Sequence, residues 1–111
     1  MFWTSHSKFK MKFYGLSEAR VRRVLNSPAR VEEGIAPNTI AMMQPTSYKT
    51  KNGVKNWNQE IWIMVQKSKS KGVKVISAWK YPGKTKEGSK LPDAIKSEIR
   101  EALYGVKMEI N

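Results

Sequence analysis

Residues 59–66 read QEIWIMVQ, and this octapeptide restricts the fold more than any other part of the chain. Ile61, Ile63 and Val65 alternate with Trp62 and Met64, so an extended chain here is apolar on both faces. Such a strand belongs in the centre of a sheet. A lysine-rich hairpin tip follows at 67–72, KSKSKG, and then a return strand over Val73–Tyr81.

The remaining segments arrange themselves around this pair. Phe2–Thr4 reads as a short extended start and 6–14 as a helix that Gly15 can end. Ser17 caps a second helix running to Asn26, with Glu18 in its first turn where a negative charge suits the helix dipole. Leu16 and Val21 are spaced as a hydrophobic staple across that cap. Val21, Val24 and Leu25 form the apolar stripe, and Arg20, Arg22 and Arg23 stay outside it. Asn26-Ser27-Pro28 stops the helix, because proline disfavours helical backbone in the residue before it. Arg30–Ile35 and Thr39–Gln44 read as strands around a Gly34/Pro37-Asn38 turn. Residues 45–56, PTSYKTKNGVKN, read as a polar loop with Asn52-Gly53 as a candidate turn inside it. Pro92–Tyr104 reads as a final helix with Ile95, Ile99, Ala102 and Leu103 on one face. The expectation is one α+β domain over 1–111: N-terminal helices at 6–26, an antiparallel sheet at 30–81, and a C-terminal helix at 92–104.

The chain has 111 residues, enough for one domain with a modest core. It has no cysteine, which excludes disulfides and thiolate chemistry. The opening MFWTSHSKFK lacks the apolar run of a signal peptide, and no apolar stretch reaches membrane-spanning length. A soluble cytoplasmic protein without a membrane partner is expected.

Charge then narrows the function. There are 21 Lys and Arg against 9 Asp and Glu, a net charge of +12. Residues 1–30 carry seven basic and one acidic side chain, and 66–90 carry eight and one. Residues 31–65 balance at three each. If the fold joins the two basic stretches, they make a cationic face suited to a polyanion such as RNA. A well-solvated surface is the plainer reading.

Residues 78–85, AWKYPGKT, satisfy the spacing of a phosphate-binding loop. Such a loop needs a helix directly after it, whose first amides cradle the phosphates. Here Lys84-Thr85 runs into KEGSKLP, which contains Gly88 and Pro92. The segment is better read as the end of the last strand and the turn after it.

One histidine and no cysteine would leave a zinc site dependent on several carboxylates, which are scarce and scattered. No metal or other cofactor is therefore expected. Glu32 and Glu33 would point to opposite faces of a strand and so form no acid–base dyad. RNA, however, carries its own nucleophile, the 2′-hydroxyl. An RNA-cleaving site needs only a base, an acid and cations on the developing phosphorane. His6 as acid/base, with Lys10 one turn along and Lys80 as charge stabilisers, are the candidate parts. Arg20, Arg22, Arg23, Trp79, Tyr81 and Lys84 are the candidate nucleic-acid-binding residues. Phe9 and Phe13, a turn apart, suit a further sheet contact, a dimer contact or base stacking.

HSKFKMKFYGLSEARVRRVL followed by NSPARVEE resembles a bacterial domain-of-unknown-function group that starts His-Ala-x-x-Arg-Met-x-x-Arg-Gly-Ile-Ser. His6, Ser7, Lys10, Met11, Tyr14, Gly15, Leu16 and Ser17 occupy those positions without a gap. That group is similar to the BrnT-type toxins of the RelE-like ribonuclease superfamily. Val75–Lys80 is similar to their Ile-Ser-Ala-Arg-Arg strand, and the resemblance spans roughly residues 2–81. Trp79 stands where the first of those arginines would be, and Phe13-Tyr14 where the toxins have Lys-His. The resemblance implies a helix pair on a twisted antiparallel sheet. It also implies a basic RNA-cleaving site between the helices and the last strand, masked by an antitoxin. The resulting expectation is an RNA-directed, toxin-like protein, as a metal-independent endoribonuclease. The alternatives are a non-catalytic nucleic-acid- or ribosome-binding domain, or a protein-interaction module such as a homodimer.

Overall fold

The computed structural model describes residues 1–33, 38–68 and 72–85, together with the isolated positions 93, 97 and 100. The chain starts in a two-residue strand, β1 (Phe2–Trp3), and turns into α1 (Ser5–Tyr14) and α2 (Glu18–Asn26). β2 (Arg30–Glu33) and β3 (Thr39–Pro45) follow. A small hairpin, β4 (Lys49–Lys51) and β5 (Val54–Asn56), comes next. The long pair β6 (Gln59–Ser68) and β7 (Gly72–Pro82) completes the described elements.

The main sheet has the order β1-β7-β6-β3-β2, and β4-β5 forms a sheet of its own. β6 is the middle strand, as its two apolar faces require. Trp62 sits opposite Trp79 on one side and Met43 on the other. A register shift between Met64 and Val65 places Ile76 as an extra residue on β7. It lies where Thr4 docks: Thr4 N donates to Val75 O at 3.2 Å, and Thr4 Oγ1 donates to Ile76 O at 3.1 Å. Thr4 also caps α1, its hydroxyl accepting from Ser7 N. One threonine thus starts the helix and fixes it to the sheet.

Both helices cover one sheet face. Met11, Leu16, Val21 and Val24 pack there against Ile61, Ile63, Val65, Val75 and Ala78. Leu16 and Val21 are buried together across the Ser17 cap, whose hydroxyl accepts from Arg20 N at 3.1 Å. The other face gathers Ala41, Met43, Trp62, Met64, Ile76 and Trp79, with Tyr14, Trp57 and Tyr81 packed against them. The Trp62 and Trp79 rings are stacked, 6.3 Å apart and 6° from parallel.

The expected fold class, two helices on a twisted antiparallel sheet plus a C-terminal helix, is corrected by this architecture. Strands predominate among the described residues: seven, against two helices of 10 and 9 residues. The sheet is mixed, because β1 enters beside β7 as a parallel edge. Residues 45–56 are not simply a loop but hold a second sheet. The helix expected over 92–104 falls outside the described residues, apart from the isolated Asp93, Ser97 and Arg100, which have helical backbone. Two physical reasons explain the misreading. A two-residue strand has no periodicity to detect, and a fully exposed hairpin has no apolar alternation. Among the described residues, no helix is long and apolar enough to cross a membrane.

Gly15 joins α1 to α2 in left-handed backbone, φ 67° and ψ 36°. A Cβ there would meet nothing within 4 Å, so only backbone strain opposes a side chain. Gly15→Ala is expected to cost about 1 kcal/mol. It should appear as a lower urea midpoint with an unchanged denaturant slope.

Candidate functional site

The strongest constellation lies where the C-terminal half of α2, the end of β3 and the β4-β5 hairpin meet. Gln44, near the end of β3, organises it. Its side-chain oxygen accepts from Arg20 NH1 at 2.6 Å. Its amide nitrogen donates to Arg23 O at 3.1 Å and Ser27 O at 2.7 Å, so it caps the last turn of α2. Arg20 also donates from NH2 to Pro45 O at 3.0 Å. Burial, and then the charge of Arg23, lower the Arg20 pKa from its ordinary value, yet an arginine keeps its proton at neutral pH. Arg20 is thus held against the end of β3, with the exposed Arg23 close enough for its charge to be felt.

Arg20 and Arg23 line a groove of about 740 Å³ whose other walls include Tyr48, Lys55 and Trp57. A second pocket of about 320 Å³, lined by Ser47, Tyr48, Lys49, Asn56, Trp57 and Asn58, shares Ser47, Tyr48 and Trp57 with the groove. The hairpin separates the two. Lys49 pairs with Asn56 and Thr50 with Lys55, so Lys55 projects on one side and Lys49 with Asn56 on the other. Asn52 and Gly53 close the hairpin with positive φ at both positions, as a type I′ turn requires. Each aromatic ring carries a cation. Lys55 Nζ lies 4.6 Å from the Tyr48 centroid, and Lys84 Nζ lies 4.4 Å from that of Trp57.

Behind the groove is a fully buried carboxylate. Glu60 has 0% exposure. Its Oε1 accepts from Trp62 Nε1 at 3.0 Å and Thr85 Oγ1 at 2.7 Å. Its Oε2 accepts from Trp57 Nε1 at 2.8 Å and Thr85 N at 3.1 Å. All four lone-pair positions are therefore occupied. Thr85 Oγ1 accepts in turn from Arg30 NH1 at 2.7 Å, and Arg30 Nε pairs with Glu32 at 2.6 Å. The Arg30 guanidinium also lies 5.6 Å from the Trp62 ring centroid. Glu60 thereby fixes Trp57, and through Thr85 it holds Lys84 over that ring.

This settles how 78–85 is used. The amide and hydroxyl of Thr85, which a phosphate loop would turn toward a phosphate, are committed to the Glu60 carboxylate. Ala78, Trp79, Lys80, Tyr81 and Pro82 end β7.

The nine residues singled out from sequence are distributed around the molecule. Arg20 and Arg23 line the groove, and Lys84 reaches its rim through Trp57. Arg22 projects from the other side of α2 and lies 5.5 Å from the Trp3 ring centroid. Trp79 is 2% exposed, packed on Trp62 in the core, and so is not a platform for a base. Tyr81 is half-buried against the same cluster. Lys80 is half-buried on the opposite, helix-covered side of β7. His6 is half-buried, with Nε2 buried and making no hydrogen bond. Lys10 is buried, its ammonium 6.0 Å from the Phe13 ring centroid. None of His6, Lys10 or Lys80 lines the groove. Among the described residues, no group of three or more His, Asp or Glu is placed to hold a metal ion.

Sequence reasoning passed over Glu60, Trp57, Tyr48, Lys55 and Gln44. A signal existed for Glu60. An acid inside a strand that is apolar on both faces must find donors, and Trp57 and Trp62 are three and two residues away. The even charge balance of 31–65 hid the lysines. Glu60 is buried and Glu32 is paired with Arg30, while Lys49, Lys51 and Lys55 are exposed. The segment is neutral in composition but presents lysines to solvent.

Comparison of the chain with protein-family models, with curated proteins and with solved structures gives no match in any of the three.

Proposed function

We propose that this protein binds single-stranded RNA in the groove between α2 and the β4-β5 hairpin, as a non-catalytic module. The observation that carries this reading is the groove itself, in which Arg20, Arg23 and Lys55 share one trough with Tyr48 and Trp57. Cations along a channel take the phosphate backbone, and aromatic rings take the unpaired bases. The surplus of Lys and Arg over the whole chain supports the same polyanionic partner. Binding is preferred to cleavage because His6 lies outside the groove with Nε2 buried.

Fluorescence anisotropy of a labelled RNA oligomer, titrated across a series of salt concentrations, tests the proposal. Phosphate contacts by Arg20, Arg23, Lys55 and Lys84 predict a log–log salt slope of about −2 to −3, at roughly −0.7 per contact for a single strand. The RNA should be recovered intact after incubation in excess EDTA. Association that ignores salt would instead indicate a protein partner, such as an antitoxin or a second copy seated on the exposed Phe9 and Phe13. EDTA-resistant cleavage that disappears in His6→Ala would restore the endoribonuclease reading.

A further inference from the structure

The pocket behind the hairpin is built differently from the groove. It is smaller, about 320 Å³, near the lower end of the range for small-molecule sites. Its walls combine two aromatic rings with Asn56, Asn58 and Ser47. An asparagine amide offers a donor and an acceptor side by side, the pattern that pairs with the polar edge of a base. The Trp57 ring is held in place: its N–H is taken by Glu60 Oε2, and Lys84 stands over it. The Tyr48 ring is 54% exposed, and Lys55 approaches it from the strand face opposite to Lys49 and Asn56. Ser47, Tyr48 and Trp57 belong to both spaces, so a chain lying in the groove passes the mouth of the pocket.

From this geometry we infer that the pocket takes one unpaired nucleobase, turned out of a strand whose phosphates lie in the groove. The base stacks against Tyr48 and Trp57, and the Asn56, Asn58 and Ser47 side chains satisfy its polar edge. Lys49, on the same side of the hairpin, receives the phosphate next to that base. This inference rests on the RNA-binding reading of the groove and adds to it a separate seat for one base, whose polar edge meets Asn56 and Asn58.

The experiment compares a short RNA oligomer with an abasic ribose-phosphate oligomer of the same length and charge, on the wild type and on Tyr48→Ala. Tyr48 is exposed, so its truncation leaves the fold intact, which circular dichroism verifies. The wild type should bind the abasic strand about tenfold more weakly than the RNA. Tyr48→Ala should bring the RNA down toward the abasic strand and leave the salt slope unchanged. Adenosine monophosphate added as competitor identifies the source of the base. Displacement at micromolar concentration assigns the pocket to free nucleotides, and its absence assigns it to a base within a strand. Equal affinity for RNA and abasic strand, both with a steep salt slope, overturns the pocket and any base stacking, and leaves the groove as a phosphate-binding channel alone. Failure of both strands to bind in a salt-dependent way overturns the groove reading itself.

Discussion

Replacing Glu60 by alanine is expected to destabilise the protein by about 3–5 kcal/mol, the range for breaking a buried charged network by removing one partner. The size follows from what is left behind. Trp62 Nε1 is fully inside the core and would have no acceptor. Trp57 Nε1 and both the amide and hydroxyl of Thr85 would lose theirs as well. An unsatisfied buried donor costs about 1–3 kcal/mol, so the fully buried Trp62 Nε1 accounts for a large share of the loss, and the half-buried Trp57 and Thr85 donors supply the rest. Arg30 would also lose the threonine-bridged anion that complements it, keeping only Glu32. Glu60→Gln separates shape from hydrogen bonding. It preserves volume but turns an amide NH₂ toward two donors, so about half of the alanine effect should remain. Urea denaturation with both variants measures this. An alanine loss below about 1 kcal/mol would mean that apolar packing alone holds β6 to the segment after β7.

The same network shows how far the sequence could be read. The strand at 59–66 was legible because apolar side chains on both faces permit only a central position. The caps at Ser17 and Gly15 were legible because they depend on local backbone chemistry. The alternation that puts Trp79 and Tyr81 on one face and Lys80 on the other was legible too. What Trp79 faces was not, because that depends on the register of β6 against β7, which places Trp62 opposite it. The ring therefore stacks inside the core and not on a ligand. The groove was hidden for a related reason. Arg20 and Gln44 are 24 residues apart, and Arg30 and Thr85 are 55 apart. Pairings across such separations have no local signature. The fold class was over-specified by the resemblance in the first helix and its turn. Those residues describe the helix pair and say nothing of the parallel β1 edge or the exposed hairpin.

Reversing two charges in the groove, Arg23→Glu with Lys55→Glu, is expected to weaken RNA binding by about ten- to a hundredfold. Arg20 is left in place because its guanidinium ties α2 to Gln44 and Pro45, and its loss would mix folding with binding. Arg23 and Lys55 are exposed, so their replacement acts through charge. The double change lowers the net charge from +12 to +8, at two units per substitution. Bulk charge alone would weaken binding to any polyanion, so a matched control is needed. Lys8→Glu with Lys12→Glu makes the same change in net charge on exposed positions of α1, outside the groove. If the groove is the binding site, the first pair should make the salt slope shallower by about 1.4, at 0.7 per lost phosphate contact, while the second leaves it nearly unchanged. Equal losses in both pairs would mean a diffuse electrostatic attraction over the whole surface. A larger loss from the α1 pair would move the site to the lysines flanking Phe9 and Phe13. The slope is the better discriminator than affinity, because it counts the displaced counterions and is blind to contacts that carry no charge.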